Sequence, residues 1–261
     1  MKIATFNING VKARLPRLLE WLDRFQPDVA CLQEIKSVDD AFPRLELESA
    51  GWHVVTHGQK SFNGVAFVSK KPGKITQVGL PAPDGSTDNE DPQARYIEGE
   101  FDGVRIASIY LPNGNPCPGP KFDYKLAWMQ RLHAHAARLM AMEIPVVLAG
   151  DYNVIPTDED CHDPAAWAGD ALTEPESRAN FNSLIGLGYL DALRQIQPTG
   201  HAFTFWDYQR GAWQKDHGIR IDHLLLSPEA ADMLKTAAVD REPRGKEKAS
   251  DHTPVWIELT N

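Results

Sequence analysis

The sequence predicts an α/β fold with mixed sheets, and three observations carry that expectation. Apolar runs of strand length recur along all 261 residues. Two longer stretches instead space their apolar residues as a helix does. Asp102-Gly103 is a hairpin-type turn between two of the strand-like runs.

Taken in order, Lys2-Ile3-Ala4-Thr5-Phe6-Asn7 is a strand that ends in an amide. Leu15, Leu18, Leu19, Leu22 and Phe25 then mark one face of a helix. Ala30-Cys31-Leu32-Gln33-Glu34 is a second apolar strand, ending in an acid. Further strands are expected over 53–57, 65–69, 75–78, 95–100 and 104–111. Phe122, Leu126, Met129, Leu132, Ala136 and Leu139 form the second helical stripe. Behind it, Ile144-Pro145-Val146-Val147-Leu148-Ala149 reads as a buried strand closed by Gly150-Asp151-Tyr152-Asn153. Side chains two apart on a strand share a direction, so Asp151 and Asn153 are expected to converge on one site. A strand over 221–226 follows, and Ser250-Asp251-His252 stands before a last one, Pro254-Val255-Trp256-Ile257-Glu258-Leu259.

With no repeat, low-complexity tract or linker in view, a single domain over 1–261 is expected. Hydrophobic content of 42% and charged content of 24% suit a globular chain able to bury a sizeable core. No apolar run approaches the ~18–20 residues that cross a membrane. Cys31, Cys117 and Cys161 are odd in number and far apart, which argues against a disulfide framework and for a cytoplasmic setting. The chain enters a strand at once, without a charged-then-apolar leader.

The net charge of −9 speaks against nucleic acid as a partner only on average, because binding uses a local surface. Cations gather at Lys70, Lys71 and Lys74; at Arg210, Lys215 and Arg220; and at Arg241, Arg244, Lys246 and Lys248. Acids gather separately, from Asp84 to Asp91. Two loops stand out. The stretch 112–120 is stiffened by proline, and Phe203-Thr204-Phe205-Trp206-Asp207-Tyr208 sets aromatic rings near cations, which suits stacking and phosphate pairing.

Strands delivering Asn, Glu, Asp and His to their ends build an oxygen-rich site suited to Mg²⁺ or Mn²⁺ and poor for zinc or copper. Six segments carry a resemblance: Thr5-Phe6-Asn7-Ile8-Asn9-Gly10, Leu32-Gln33-Glu34-Ile35-Lys36, Ile109-Tyr110-Leu111-Pro112-Asn113-Gly114, Gly150-Asp151-Tyr152-Asn153, Arg220-Ile221-Asp222 and Ser250-Asp251-His252-Thr253-Pro254-Val255. In this order they resemble the exonuclease III family of abasic-site endonucleases, bacterial branch, within the endonuclease/exonuclease/phosphatase superfamily.

That resemblance implies a four-layer sandwich, with two mixed sheets face to face, helices outside and the site at one end. It implies a monomer acting on duplex DNA at abasic sites and 3′ blocks, with 3′-5′ exonuclease and 3′-phosphatase activity. The implied metal set is Asn7, Glu34, Asp151, Asn153, Asp251 and His252, of which not every acid need touch the ion. Asp151 would position or deprotonate water, and Asn153 would hold a phosphate oxygen or a metal water. His252 and Tyr110 would donate to phosphate, with Asp222 fixing the His252 ring. An abasic pocket is expected from Phe205, Trp206 and Ile221 with Ile219 at its rim, and phosphate contacts from Arg210, Lys215 and Arg220. Two alternatives stay open: a superfamily phosphodiesterase or phosphatase with another substrate, and a catalytically dead DNA-binding protein.

Overall fold

The computed structural model describes residues 1–86 and 91–260, so part of the acidic stretch between Asp84 and Asp91 lies outside the described residues. Within them the chain runs β1 (Lys2–Asn7), α1 (Val11–Phe25), β2 (Val29–Gln33), α2 (Arg44–Ser49), β3 (His53–His57), β4 (Val65–Ser69), β5 (Lys74–Val78), β6 (Tyr96–Phe101) and β7 (Val104–Tyr110). It continues through α3 (Pro120–Met140), β8 (Val146–Asp151), α4 (Pro175–Gly186), β9 (Leu190–Asp191), α5 (Ala192–Ile196), β10 (Asp222–Leu226), α6 (Pro228–Asp232), β11 (Leu234–Val239) and β12 (Val255–Leu259).

The strands form two six-stranded sheets, ordered β11-β12-β1-β2-β4-β3 and β5-β6-β7-β8-β10-β9. Each has a parallel pair at its centre, β1 with β2 and β7 with β8, joined by α1 and α3 respectively, and antiparallel pairs elsewhere. Parallel pairing needs a crossover, and the two amphipathic stripes supply one per sheet. The turn Asp102-Gly103 closes the β6–β7 hairpin with both residues at positive φ, 46° and 85°.

Period-two alternation decides which layer each residue fills. Ile3 and Cys31, with Ile257 beside them, face the other sheet, where they meet Ile97, Val147 and Leu224. Their neighbours Ala4, Phe6 and Leu32 face outward and pack on Leu18, Trp21 and Leu22 of α1. On the second sheet, Ile109, Val146 and Leu148 face out against Trp128, Leu132 and Ala136 of α3. Four layers result, and the central strands are buried on both faces, which is why they read as continuous apolar runs.

Six elements escape the periodicity. The edge strand β11 is only half buried, β9 spans two residues, and α2, α4, α5 and α6 have weak or short stripes. Cys31, Cys117 and Cys161 are unpaired. No described helix is long and apolar enough to cross a membrane.

Candidate active site

The site lies where strand ends of both sheets meet. In the second sheet, Tyr110, Asp151 and Asp222 occupy adjacent register positions at the ends of β7, β8 and β10. Residues directly opposite share a face, so the two carboxylates point the same way. The first sheet brings Asn7 at the end of β1, Glu34 just past β2, and His252 just before β12.

Glu34, Asp151 and His252 present ligand atoms all within 4.8 Å of one another. Asn7 Nδ2 donates to Glu34 Oε1 at 3.0 Å and to Asp151 Oδ2 at 2.9 Å, so one amide ties the acids of the two sheets together. Lys36 Nζ lies 2.9 Å from Glu34 Oε2. Burial opposes ionisation of Glu34, yet Asn7 and Lys36 overcome it and hold the carboxyl below its usual range. Backbone conformation is also spent here: Glu34 sits at φ 49° and Asn153 at φ 46°, both left-handed without being glycine.

His252 Nδ1 stands 2.8 Å from Asp222 Oδ2, and its Nε2 is 3.7 Å from Asp151 Oδ2. Burial disfavours the charged ring, but Asp222 and then Asp151 outweigh it and raise the imidazole above its ordinary value. A protonated ring donates to phosphate oxygens and is no ligand for a hard divalent ion. Asp151 is shifted upward, by burial first; His252 opposes the shift and Asp222 adds to it. Thr204 Oγ1 donates to the same oxygen, Asp222 Oδ2, at 2.6 Å, and Phe205 packs edge-on against the His252 ring, centroids 5.0 Å apart. Tyr110 keeps its phenolic proton, through burial and then the charges of Glu34 and Asp151, which makes it a donor at the rim.

Several expected ligands are placed otherwise. The strand ends at Asp151, so alternation does not carry Asn153 into the cluster. Asn153 Nδ2 donates to the Leu111 carbonyl at 2.9 Å, and its Oδ1 accepts from Asn113 at 3.1 Å. Asn7 turns its Oδ1 to the Asn9 amide at 3.0 Å, and Asp251 Oδ1 accepts from Asn9 Nδ2 at 3.0 Å. Glu34 and Asp151 thus remain the hard-oxygen pair that could hold a metal ion.

Sequence reasoning missed Thr204, Lys36, Ser250 and Lys125 as supports. Ser250 Oγ donates to the Asn7 carbonyl at 2.7 Å and so joins the β12 approach to β1. Lys125 of α3 is fully buried and donates to the carbonyls of Asn113 (3.1 Å), Asn153 (2.6 Å) and Ala171 (3.2 Å). It fixes the proline-rich loop and the Asn153 tip to one helix, and burial lowers its pKa to about 7. Lys36 and Ser250 lie inside the motifs and could have been found there. A lysine in a helix gives no such signal.

Beside the cluster opens a cavity of about 710 Å³ lined by His162, Trp167, Phe205, Arg210, Lys215, His217 and Ile219. His162 and His217 stack within it, 4.5 Å between centroids. Of the residues expected to form a pocket, Phe205, Ile219, Arg210 and Lys215 line this cavity, whereas Trp206, Ile221 and Arg220 do not. Adjacent residues on an extended segment point oppositely. Trp206 therefore faces inward, with no exposed surface, donating to Asp216 Oδ1 at 3.0 Å and packing edge-on against Trp213. Ile221 joins the buried cluster with Phe122 and Leu172. Arg220 is 1% exposed, its Nε 2.6 Å from Asp160 Oδ1 and its NH1 2.8 Å from Asp191 Oδ2. A guanidinium so enclosed is a core ion pair, out of reach of DNA.

The chain is 35% identical to the exodeoxyribonuclease III of Haemophilus influenzae, over 99% of this chain and all of that one. A solved 3′ phosphatase from Neisseria, NExo, bound to a product DNA hairpin, superposes over all of both chains at 40% identity, TM-score 0.95. An AP endonuclease from Archaeoglobus fulgidus superposes over 99% of each chain at 32% identity, TM-score 0.92. The family model for endonucleases, exonucleases and phosphatases matches residues 4–252, with the cluster from Asn7 to His252 inside that span, and the chain belongs to the Endonuclease/Exonuclease/phosphatase family.

Proposed function

We propose that this chain is a DNA repair nuclease, a metal-dependent phosphodiester hydrolase working at 3′ ends and abasic sites of duplex DNA. The carrying observation is the convergence of Glu34, Asp151 and His252, with Asp222 behind the imidazole. The names of its relatives, an exodeoxyribonuclease III and a 3′ phosphatase bound to DNA, favour DNA over an inositol phosphate or another ester. A dead scaffold is disfavoured because no member of the acid–amide–imidazole set is missing.

Glu34 and Asp151 would hold Mg²⁺ or Mn²⁺; the ion when bound neutralises phosphoryl charge. Asp151 Oδ2 orients the attacking water and takes up its proton as the new P–O bond forms. His252 and Tyr110 donate to the non-bridging oxygens, on which charge accumulates. The P–O3′ bond breaks, and the departing O3′ takes a proton from solvent to leave a 3′-hydroxyl. Cleavage 5′ to an abasic site and removal of a 3′-phosphate are the same displacement, differing only in what stays attached to phosphorus.

The cavity at Phe205 and Ile219 would take the residue on the far side of that phosphate. We place the activity in one domain acting as a monomer. The test uses two duplexes, one with a single abasic analogue and one with a 3′-phosphate, each with Mg²⁺ or EDTA. Metal-dependent release of 3′-hydroxyl ends is expected from both. Turnover of neither, or full turnover in EDTA, would sink the reading.

A further inference from the structure

The basic run near the C-terminus has no part in the reaction centre, and the fold divides it. Arg241 turns away to Asp216, at 2.7 Å, over the Trp206 and Trp213 rings. Arg244, Lys246 and Lys248 instead meet Arg14 of α1 and Tyr208 around a cavity of about 460 Å³ with no carboxylate in its lining. Four cations converge there on a chain whose net charge is −9.

We propose that this cavity is a second phosphate subsite, gripping a non-scissile backbone phosphate of the DNA. The inference rests on the DNA reading above. Arg14 Nε and Arg244 Nε are buried without a hydrogen-bond partner, and Lys248 is exposed with no ion pair among the described residues. Buried donors without partners are costly, and a phosphodiester supplies the acceptor oxygens that the forked guanidinium fits. Lys246 is partly neutralised by Glu242 (2.5 Å) and Glu20 (3.5 Å), so Arg14, Arg244 and Lys248 carry the site.

The pocket is also pre-organised and wired to the reaction centre. Tyr208 gives its proton to the Ala249 carbonyl at 2.8 Å, which leaves its oxygen to accept from Arg14 NH2 at 3.1 Å. The Arg244 guanidinium lies 5.3 Å from the Tyr208 ring centroid. Asn9 Nδ2 donates both to Tyr208 Oη, at 3.3 Å, and to Asp251 Oδ1, at 3.0 Å. One amide thus spans the pocket and the edge of the catalytic cluster, so a phosphate held in the one fixes the strand's register in the other.

The test is a methylphosphonate scan of a 3′-phosphate duplex with one neutral linkage at a time, on the wild-type protein, Arg14→Ala/Lys248→Ala and Lys248→Glu. Lys248 is exposed, so the charge reversal leaves the packed interior intact. In the wild type, one linkage away from the cleaved one should raise KM about tenfold. In both variants KM should rise with kcat retained, the slope of log KM against log salt should fall by about one, and that linkage should cease to matter. A salt slope and a scan identical to wild type in both variants would overturn the subsite while leaving the nuclease reading intact. Inhibition by inorganic phosphate that Lys248→Glu relieves, with an unchanged scan, would give the pocket to a free anion and also overturn it. A wild-type protein that neither cleaves nor binds duplex would bring down the DNA reading and the subsite together.

Discussion

Asp222 Oδ2 stands 2.8 Å from His252 Nδ1, while Nε2 of the same ring looks toward Asp151. This buried acid sets the charge state of the imidazole and, through it, the form in which the ring meets a phosphate. Asp222→Asn should lower kcat by about 10²-fold or more, with duplex binding largely kept. The working ring is the protonated one, active below its pKa, and Asp222 raises that pKa. Its loss should therefore move the alkaline limb of the kcat profile to lower pH. A uniform loss across pH would make Asp222 a packing group only.

Metal dependence follows from Glu34 and Asp151, hard oxygen donors fixed by a shared amide. EDTA should abolish turnover, with Mg²⁺ or Mn²⁺ restoring it and Zn²⁺ doing so poorly. Glu34→Gln should demand far more metal for half-maximal rate. A Glu34→Gln protein with wild-type metal demand would place the ion elsewhere.

Phe205 and Trp206 are neighbours in sequence with opposite fates. Trp206→Ala should cost about 3–5 kcal/mol of stability, as for a fully buried aromatic. Phe205→Ala should leave the melting temperature close to wild type and weaken abasic cleavage. Equal loss of stability in the two variants would make both rings core anchors. Arg220→Ala should likewise destabilise, by about 3–5 kcal/mol for a broken buried ion pair, leaving the salt dependence of binding untouched.

His223 offers a pH test of stability away from the reaction centre. Its Nδ1 accepts from Arg220 NH1 at 3.0 Å, so Nε2 carries the hydrogen and donates to the Val154 carbonyl at 3.1 Å. Burial, then the Arg220 charge, lowers its pKa to about 4. Below roughly pH 6.5 the unfolded chain takes up a proton there that the folded protein refuses until about 4, so stability falls with pH in that window. Between about pH 7.5 and 5 this one group should remove roughly 2 kcal/mol. In urea denaturation His223→Gln should narrow its gap to wild type by that amount. Parallel curves would mean that His223 takes up its proton at the same pH in the folded and the unfolded chain.

The sequence by itself determined ten of the twelve described strands, the two crossover helices and the roster of acids, amides and imidazole at strand ends. Those features are local: a continuous apolar run, a period of 3.6 or a polar residue closing a strand is written in neighbouring positions. β11 and α4 were lost because their partners, and not their own patterns, stabilise them. Tertiary structure alone decided which roster members meet. Asn153 follows a strand that has already ended, so its amide closes a loop, whereas Glu34, Asp151 and His252 converge because the ends of two sheets do. The cations were redistributed in the same way: Arg220 went to a buried ion pair, Arg210 and Lys215 to one cavity, Arg14 and Lys248 to another. Charge seeks its complement through space, and proximity along a chain does not say which carboxylate a guanidinium will find.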